Sequence, residues 1–322
     1  MKKYLKPMVV LLAVVLTVTL VACFSSNEND TTLYRIGICQ LVQHDAHDAA
    51  TQGFIDALND ELPGLVSFNT QNAANEIPLC TTIVNQFIAE DVDLILANAT
   101  PALQAASAAT DDIPILGTSV TEYSVIMGLN DFDGLVGGNV SGTSDLAPTA
   151  AQADMVKTWF PEANEIGLLY CSAESNSQYQ VGVMRVALEN LGYTCTFYPF
   201  TDTNDLPAVL EGAIANCDVL YVPTDNTVAS SAAIIDNYCR PAGIPIIGGD
   251  KGICNDCTVA TLSVDYYDLG YKTGLMAKKV LTGDANISEL PIEYAEYTPV
   301  YNPDLCSYYG ITPADGYTAI AD

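Results

Sequence analysis

Short apolar runs bounded by turn residues recur along this chain, and each is followed by a stretch with helical periodicity. The runs begin near Tyr34, Val66, Asp93 and Pro114 in the first half, and near Glu165, Tyr193, Asp218 and Ile244 in the second half. Such alternation is typical of βαβ units, which build a parallel sheet covered by helices. The sequence therefore predicts an α/β fold with two similar lobes, each containing a doubly wound parallel sheet.

Two segments are predicted to connect the lobes. Residues 128–149 are rich in Gly, Asn, Ser and Asp, and the helix predicted at 266–281 has no place left in the second lobe. A chain that crosses more than once forms a multi-strand hinge, about which two rigid lobes can close over a small molecule. The predicted boundaries are residues 34–141 and 265–290 for the first lobe, and residues 142–264 and 291–322 for the second.

The N-terminal segment has the composition of an export signal. Three lysines precede an apolar run at residues 8–20, which ends in Leu20-Val21-Ala22-Cys23. We predict that residues 1–22 are a signal peptide, that Cys23 carries a lipid, and that residues 23–33 form a polar tether. The protein is then anchored on the outer face of a bacterial cytoplasmic membrane. An ordinary signal peptide with an incidental cysteine is the alternative.

The charge balance is strongly acidic, with 39 acidic residues against 11 basic residues and a net charge of -28. Long-range repulsion disfavours binding to nucleic acid or to an anionic lipid surface. Charged residues make up only 16% of the chain and apolar residues 49%, so we expect compact folding.

Nine cysteines remain if Cys23 is lipidated, and an odd number cannot all pair. Cys39 and Cys171 lie in strand-like apolar runs, where cysteine behaves as a small hydrophobic residue, so we expect mostly free thiols. Cys254-Asn255-Asp256-Cys257 is a C-x-x-C motif, but a strand-like run follows it, whereas a reactive pair needs a helix that begins at the first cysteine. A local disulfide or two thiols both remain open, and a zinc site would need a second such pair.

Seven segments occur in an order that resembles one known family. They are residues Gln40–Asp48, Ala97–Ala102, Gly117–Thr121, Ser141–Asp145, Glu174–Ser177, Val222–Thr227 and Val264–Gly270. The chain resembles the substrate-binding lipoproteins of the tryptophan/tyrosine type of ABC transporter, which have the type I periplasmic-binding-protein fold, from about Tyr34 to Asp322. The resemblance implies a monomer without cofactor or catalysis that captures a free amino acid, aromatic in type, and delivers it to a membrane permease.

An amino acid brings a carboxylate and an ammonium group into the cleft. Thr100 and Ser119 each follow a strand, so their hydroxyls and nearby backbone N–H groups can hold the carboxylate, although both residues are also common helix caps. A desolvated ammonium needs a carboxylate partner. The candidates are Asp145, Asp225, Asp250 and Asp265, of which we favour Asp225; closure brings it to the ligand with the rest of Thr224-Asp225-Asn226.

An aromatic side chain also needs apolar or aromatic walls, for which Val42, His44, Tyr123 and Tyr170 lie near strand ends. Ordinary core packing is the alternative for each tyrosine. The full set of predicted ligand-binding residues is Val42, His44, Asp48, Asn98, Thr100, Thr118, Ser119, Ser144, Asp145, Asn176, Ser177, Thr224, Asp225, Asn226, Asp250 and Asp265.

Two features depart from the family pattern or suggest another function. His44 and His47, with Asp45 and Asp48, resemble half of a metal site, but no further ligands are identifiable, so we predict no metal. An exported hydrolase would need a nucleophile with a base, yet both histidines lie at one helix start and no Gly-x-Ser-x-Gly motif is present. A carboxylate-pair glycosidase and a lipid-anchored sensor domain remain open alternatives.

Overall fold

Two sheets organise residues 33–320, the part of the chain that the computed structural model describes. The predicted signal peptide, Cys23 and nearly all of the predicted tether lie outside the described residues. The strands are β1 (Tyr34–Gln40), β2 (Val66–Asn72), β3 (Leu94–Asn98), β4 (Ile115–Val120), β5 (Val140–Ser144), β6 (Glu165–Cys171), β7 (Thr194–Phe200), β8 (Val219–Val222), β9 (Ile246–Gly248), β10 (Ala260–Val264), β11 (Glu293–Tyr294), β12 (Tyr297–Tyr301) and β13 (Thr318–Ala319).

Helices separate nearly all of the parallel strands, as the alternating pattern predicted. They are α1 (Asp45–Glu61), α2 (Ile77–Ala89), α3 (Thr100–Ala109), α4 (Tyr123–Met127), α5 (Thr149–Trp159), α6 (Ser175–Asn190), α7 (Leu206–Ile214), α8 (Asn226–Ser230), α9 (Ala232–Ala242), α10 (Lys251–Asp256), α11 (Tyr266–Leu281) and α12 (Pro303–Tyr309). A 3₁₀ turn spans Ile287–Glu289.

The first sheet has the strand order β11-β5-β4-β3-β1-β2, and every pairing in it is parallel. The second has the order β13-β12-β10-β9-β8-β6-β7, in which β12 runs antiparallel to β10. Strands β3, β4 and β8 are buried along their whole length, which is typical of a parallel sheet with helices on both faces. The predicted α/β class with two parallel-sheet lobes is confirmed.

Helix α11 returns to the first lobe, where it packs tightly against α1. Glycines permit the close approach: a Cβ atom on Gly270 would collide with the backbone of Ala50, and one on Gly53 with the backbone of Tyr267. Deeper in the lobe, α1 buries Phe54, Ala57 and Leu58 on one face, at the spacing of an amphipathic helix.

The first lobe includes more of the chain than the boundaries at 141 and 290 suggest. Strand β5 lies entirely in the first sheet, and β11 pairs with it through Glu293 and Tyr294. The sequence of β5, Val-Ser-Gly-Thr-Ser, has only one large apolar residue, so hydrophobic periodicity does not identify it as a strand. The chain crosses between the lobes after β5, after β10 and after β11, which gives three hinge segments.

The nine cysteines among the described residues are all free thiols, and eight of them are buried. Cys254 lies near the end of α10 and Cys257 follows the helix, so neither thiol is at a helix start. Burial raises the pKa of Cys254 to about 12 and that of Cys257 well above its ordinary value. This C-x-x-C motif is therefore a pair of inert core thiols.

Candidate functional site

A cavity of about 10 Å³ lies between the lobes, at the carboxyl ends of the strands of both sheets. Its lining residues are His44, His47, Ser119, Thr121, Asp145, Asn176, Thr224, Asp225, Asn226, Ala229, Asp250 and Tyr266. This volume holds about one water molecule, so the rims must move apart to admit a larger ligand. Its position at the facing strand ends is the one expected for ligands of open α/β sheets.

Four buried polar atoms on the cavity wall have no hydrogen-bond partner. They are His44 Nε2, Ser119 Oγ, Asp145 Oδ1 and Asn176 Oδ1. An unsatisfied buried polar group costs about 1–3 kcal/mol, and native proteins have few of them. Four on one wall indicate that a polar ligand completes the site.

Local backbone geometry positions the Ser119 hydroxyl. Ser119 has φ = 53°, in the left-handed region, and the pairing of β4 with β5 shifts register between Gly117 and Val120. An irregularity of this kind redirects a side chain out of the strand pattern. The bend therefore places a serine hydroxyl on the cavity wall at the end of β4.

Three buried aspartates contribute to the wall. Burial is the main cause that raises the pKa of Asp145 to about 6 and that of Asp250 to about 6. Burial and the nearby Glu174 carboxylate also raise the pKa of Asp225. A cation in the cavity would stabilise the ionised form of these carboxylates.

The hydrogen bonds of the three aspartates differ. Asp225 accepts hydrogen bonds from Cys171 N at 2.7 Å and from Val228 N at 2.8 Å, one on each carboxylate oxygen. Asp250 caps α10 by accepting from Ile253 N. Asp145 Oδ2 accepts from the Tyr266 hydroxyl at 3.0 Å, whereas Asp145 Oδ1 has no hydrogen-bond partner. The geometry favours Asp145 over Asp225 for contact with a cation.

His44 and His47 form one aromatic wall of the cavity, with their ring centroids 3.9 Å apart. Burial lowers the pKa of His44 to about 4 and that of His47 well below its ordinary value, so both rings are neutral at pH 7. His47 Nδ1 donates a hydrogen bond to Val42 O at 3.2 Å, which fixes its ring. The two neutral imidazole rings, tilted by 34° to each other, and the Tyr266 ring provide flat surfaces for an aromatic or apolar group.

The structure brings about half of the predicted residues together on the cavity wall. Those that line it are His44, Ser119, Asp145, Asn176, Thr224, Asp225, Asn226 and Asp250. The sequence predicted these positions because strand ends meet at the same edge of a parallel sheet.

The other predicted residues lie off this wall. The buried residues among them are Val42, Asn98, Thr100, Thr118, Ser144 and Ser177, of which Val42 lines a separate groove between the lobes. Asn98 Nδ2 donates to His47 O, and Ser144 Oγ donates to Thr121 O. Asp48 and Asp265 are exposed, and Asp265 caps α11 by accepting from Asp268 N.

Neither predicted tyrosine wall faces the cavity. Tyr123 is buried in the first lobe and donates its hydroxyl to Thr143 O at 3.0 Å, while Tyr170 packs edge-on against Phe197. Position near a strand end does not determine the face on which a side chain lies. In both cases core packing is the observed arrangement.

Residues that the sequence did not assign to the ligand also line the cavity: His47, Thr121, Ala229 and Tyr266. Tyr266 immediately follows the second crossing, which is the signal that could have identified it. His47 entered the prediction only through the metal alternative. Within residues 33–320, no group of three His, Cys, Asp or Glu side chains is arranged to hold a metal ion.

Direct hydrogen bonds join the two lobes around the cavity. Asn75 Nδ2 in the first lobe donates to Thr227 Oγ1 in the second at 3.2 Å, and Gln104 Nε2 donates to Ser175 Oγ at 2.9 Å. The lobes are therefore closed over the cavity in this structure.

Comparison with known proteins assigns the family. The model of the family described as "ABC transporter substrate binding protein" matches residues 35–319. This chain belongs to that family. It is 36% identical over 285 residues to a protein of Clostridioides difficile (strain R20291) called "Tyrosine-binding protein", an alignment that covers 86% of this chain and 81% of that protein.

Two solved structures are informative for the conformation. A Streptococcus pneumonia ABC domain in complex with L-Trp superposes with a TM-score of 0.85 at 28% identity, covering 90% of this chain and 100% of that chain. A ligand-free, open substrate-binding protein with adhesive properties from Clostridium difficile has a TM-score of 0.69 at 34% identity, covering 89% and 99%. The Clostridium difficile protein is thus more similar to this chain in sequence than the Trp-bound domain is, but less similar in shape. Because that protein is open, the difference agrees with closed lobes in the present structure.

Family membership makes this chain the extracytoplasmic substrate-binding component of an ABC transporter, with a membrane permease as partner. Such proteins bind solutes and are not enzymes, so the hydrolase and glycosidase alternatives are excluded. None of the helices between residues 33 and 320 has the length and apolar character to cross a membrane.

Proposed function

We propose that this protein captures a free aromatic amino acid, such as tyrosine, tryptophan or phenylalanine, and delivers it to its permease. The four unpartnered polar atoms in one closed cavity carry this proposal. The similarity to a tyrosine-binding protein and to a domain in complex with L-Trp supports an aromatic ligand.

The cavity offers complementary groups for each part of such a ligand. The Ser119 hydroxyl can donate to the α-carboxylate, while Asp145 Oδ1 and Asn176 Oδ1 can accept from the ammonium group. The neighbouring imidazoles of His44 and His47 provide a surface for the aromatic ring. Ser119 Oγ, Asp145 Oδ1 and Asn176 Oδ1 would each then gain the hydrogen-bond partner that they lack within the protein.

Ligand binding would favour lobe closure. Ser119 lies near the end of β4 and Asp145 follows β5, both in the first sheet, whereas Asn176 belongs to α6 of the second lobe. Only the closed form lets all of these groups contact one small molecule, so the ligand shifts the population toward that form. The closed protein then presents both lobes to the permease in a fixed arrangement.

The proposal includes a lipid anchor on Cys23 and a monomeric state. A thioether-linked lipid would keep the protein at the outer face of the membrane, near its permease. Cys23→Ser is expected to move the protein from the membrane fraction to the medium, as measured by immunoblotting of fractionated cells. An unchanged distribution would contradict lipidation.

A ligand panel tests the central claim. The purified protein is mixed with each of the 20 common amino acids and with common sugars, and its melting temperature is measured. Tyrosine, tryptophan or phenylalanine should stabilise it by about 2.7 kcal/mol at a ligand concentration one hundred times Kd. Stabilisation by sugars alone would overturn the proposed ligand class.

A further inference from the structure

Glu174 is a buried carboxylate outside the inner cavity wall, and it connects two helices of the second lobe. It precedes α6, where its side chain accepts one long hydrogen bond, from Asn176 Nδ2 at 3.5 Å, and caps no backbone N–H group. Its Oε2 atom accepts from Asn226 N at 3.1 Å and from Asn226 Nδ2 at 2.6 Å. Its Oε1 atom accepts from Thr227 N at 2.9 Å and from Thr227 Oγ1 at 2.8 Å.

These four hydrogen bonds orient two side chains toward the first lobe. The Thr227 hydroxyl has one proton, which it donates to Glu174, so its oxygen remains free to accept from Asn75 Nδ2 at 3.2 Å. Donation from Asn226 Nδ2 to Glu174 likewise turns the amide oxygen of Asn226 away from the carboxylate, and the Asn226 side chain lies beside the His44 and His47 rings.

The oriented side chains lie between two spaces in the cleft. Asn226 lines the inner cavity of about 10 Å³. Asn75, Thr227 and Glu174 line an outer groove of about 540 Å³ between the lobes. The bond between Asn75 and Thr227 therefore lies beside the boundary between the inner cavity and the outer groove.

We propose that Glu174 is a positioning residue that slows ligand release, because it holds Asn226 and Thr227 in the orientation that closes the inner cavity against the first lobe. This inference rests on the proposed function. Glu174 needs no contact with the ligand, and its effect appears in the lifetime of the closed complex.

The first test is Glu174→Gln. The substituted amide has one oxygen and one NH₂ group, so an N–H donor now faces N–H or O–H donors of Asn226 or Thr227. Dissociation of L-tyrosine, followed by stopped-flow competition, should be about fivefold faster or more, in line with the loss of one or two hydrogen bonds. The association rate should change by less than about twofold, since encounter occurs with the open form.

Glu76→Gln is the matched control. Glu76 also lines the outer groove, but it is exposed and belongs to the first lobe, so the substitution removes the same charge without disturbing α8. Its dissociation rate should equal that of the parent. An equal acceleration in both variants would assign the effect to charge and would overturn the role of Glu174.

A double-mutant cycle separates positioning from general destabilisation. Asn75→Gly removes the first-lobe partner of Thr227, and glycine suits the backbone at this position, where φ is 64°. If Glu174 acts through Thr227, L-tyrosine should dissociate from the double variant more slowly than the product of the two single-variant rate increases predicts. Independent, multiplicative effects would overturn the proposal.

The outcomes distinguish this inference from the function on which it rests. A parent protein that binds none of L-tyrosine, L-tryptophan and L-phenylalanine would contradict the proposed function, and the inference with it. A parent that binds L-tyrosine while Glu174→Gln releases it at the parental rate would contradict the inference alone.

Discussion

The two rims of the cavity differ in how far their polar groups are already satisfied. On the first-lobe side, His44, Ser119 and Asp145 each have an atom without a partner. On the second-lobe side, both oxygens of Asp225 and of Glu174 accept hydrogen bonds from their own lobe. The first rim has unused bonding capacity for a ligand, whereas the second is rigid before any ligand arrives.

This difference suggests a division of work. A rim with unsatisfied groups gains most from contact with a ligand, because each new hydrogen bond removes a desolvation penalty. A rim whose groups are already bonded loses little entropy when the lobes close. The first lobe would thus select the ligand, and the second would act as a preorganised cover to which Asn176 adds one contact.

The largest expected effect tests the first rim. Asp145→Asn keeps an acceptor for the Tyr266 hydroxyl but removes the charge that would pair with the ligand ammonium. Loss of one partner of a buried charge pair costs about 3–5 kcal/mol, so affinity should fall by about a hundredfold or more. Isothermal titration calorimetry measures this loss. Asp265→Asn, at an exposed helix cap, is the control and should bind as the parent does.

A substitution in the second rim should lower the free energy of unfolding more than it lowers the affinity for the ligand. Asp225→Ala leaves the backbone N–H groups of Cys171 and Val228 without their acceptor. The ligand-free protein should lose about 1–3 kcal/mol of unfolding free energy, as measured by urea denaturation. An affinity loss as large as that of Asp145→Asn, without a stability loss, would reverse the proposed roles of the two rims.

The dependence on pH sharpens the comparison further. Burial raises the pKa of Asp145 from 3.8 to about 6, so the folded protein binds more protons than the unfolded chain between these values. The contribution of Asp145 to the stability of the ligand-free protein should therefore fall as pH rises from about 4 to 6, whereas the lowered pKa values of His44 and His47 act in the opposite direction, so the difference between the parent and Asp145→Asn isolates it. A ligand ammonium favours the ionised carboxylate, so affinity should change in the opposite direction and weaken as pH falls below about 6.

Melting curves and titration calorimetry across this pH range measure both trends. In Asp145→Asn the pH dependence of affinity should become much smaller. An affinity that is constant from about pH 5 to 7 in the parent would remove Asp145 as the ammonium partner.

The smallest expected effect concerns the periphery of the closed interface. Gln104→Ala removes the partly buried hydrogen bond to Ser175. Residue 104 lies in helix α3, where alanine is well tolerated. One neutral hydrogen bond at a partly exposed site should change L-tyrosine affinity by about twofold. A tenfold loss would mean that the lobe contact, and not the first rim, dominates binding.

Sequence patterns predicted the fold because hydrophobic periodicity is local. Apolar runs and helical spacing identified the βα alternation, and the return of the helix at 266–281 to the first lobe followed from the lack of a place for it in the second. Strand β5 escaped this reasoning since its small polar residues have no apolar period. Its place in the sheet depends on pairing with β4.

The sequence by itself determined which segments reach the cavity, because strands of a parallel sheet end at one edge; Ser119, Asp145 and Asn226 were found in this way. Only the tertiary structure decided which side chains there are free to bind. Asp145 and Asp225 look alike in sequence. Backbone N–H groups from separate segments satisfy both oxygens of Asp225, whereas one oxygen of Asp145 has no partner. Hydrogen-bond saturation depends on contacts between distant parts of the chain, and local residue patterns do not contain that information.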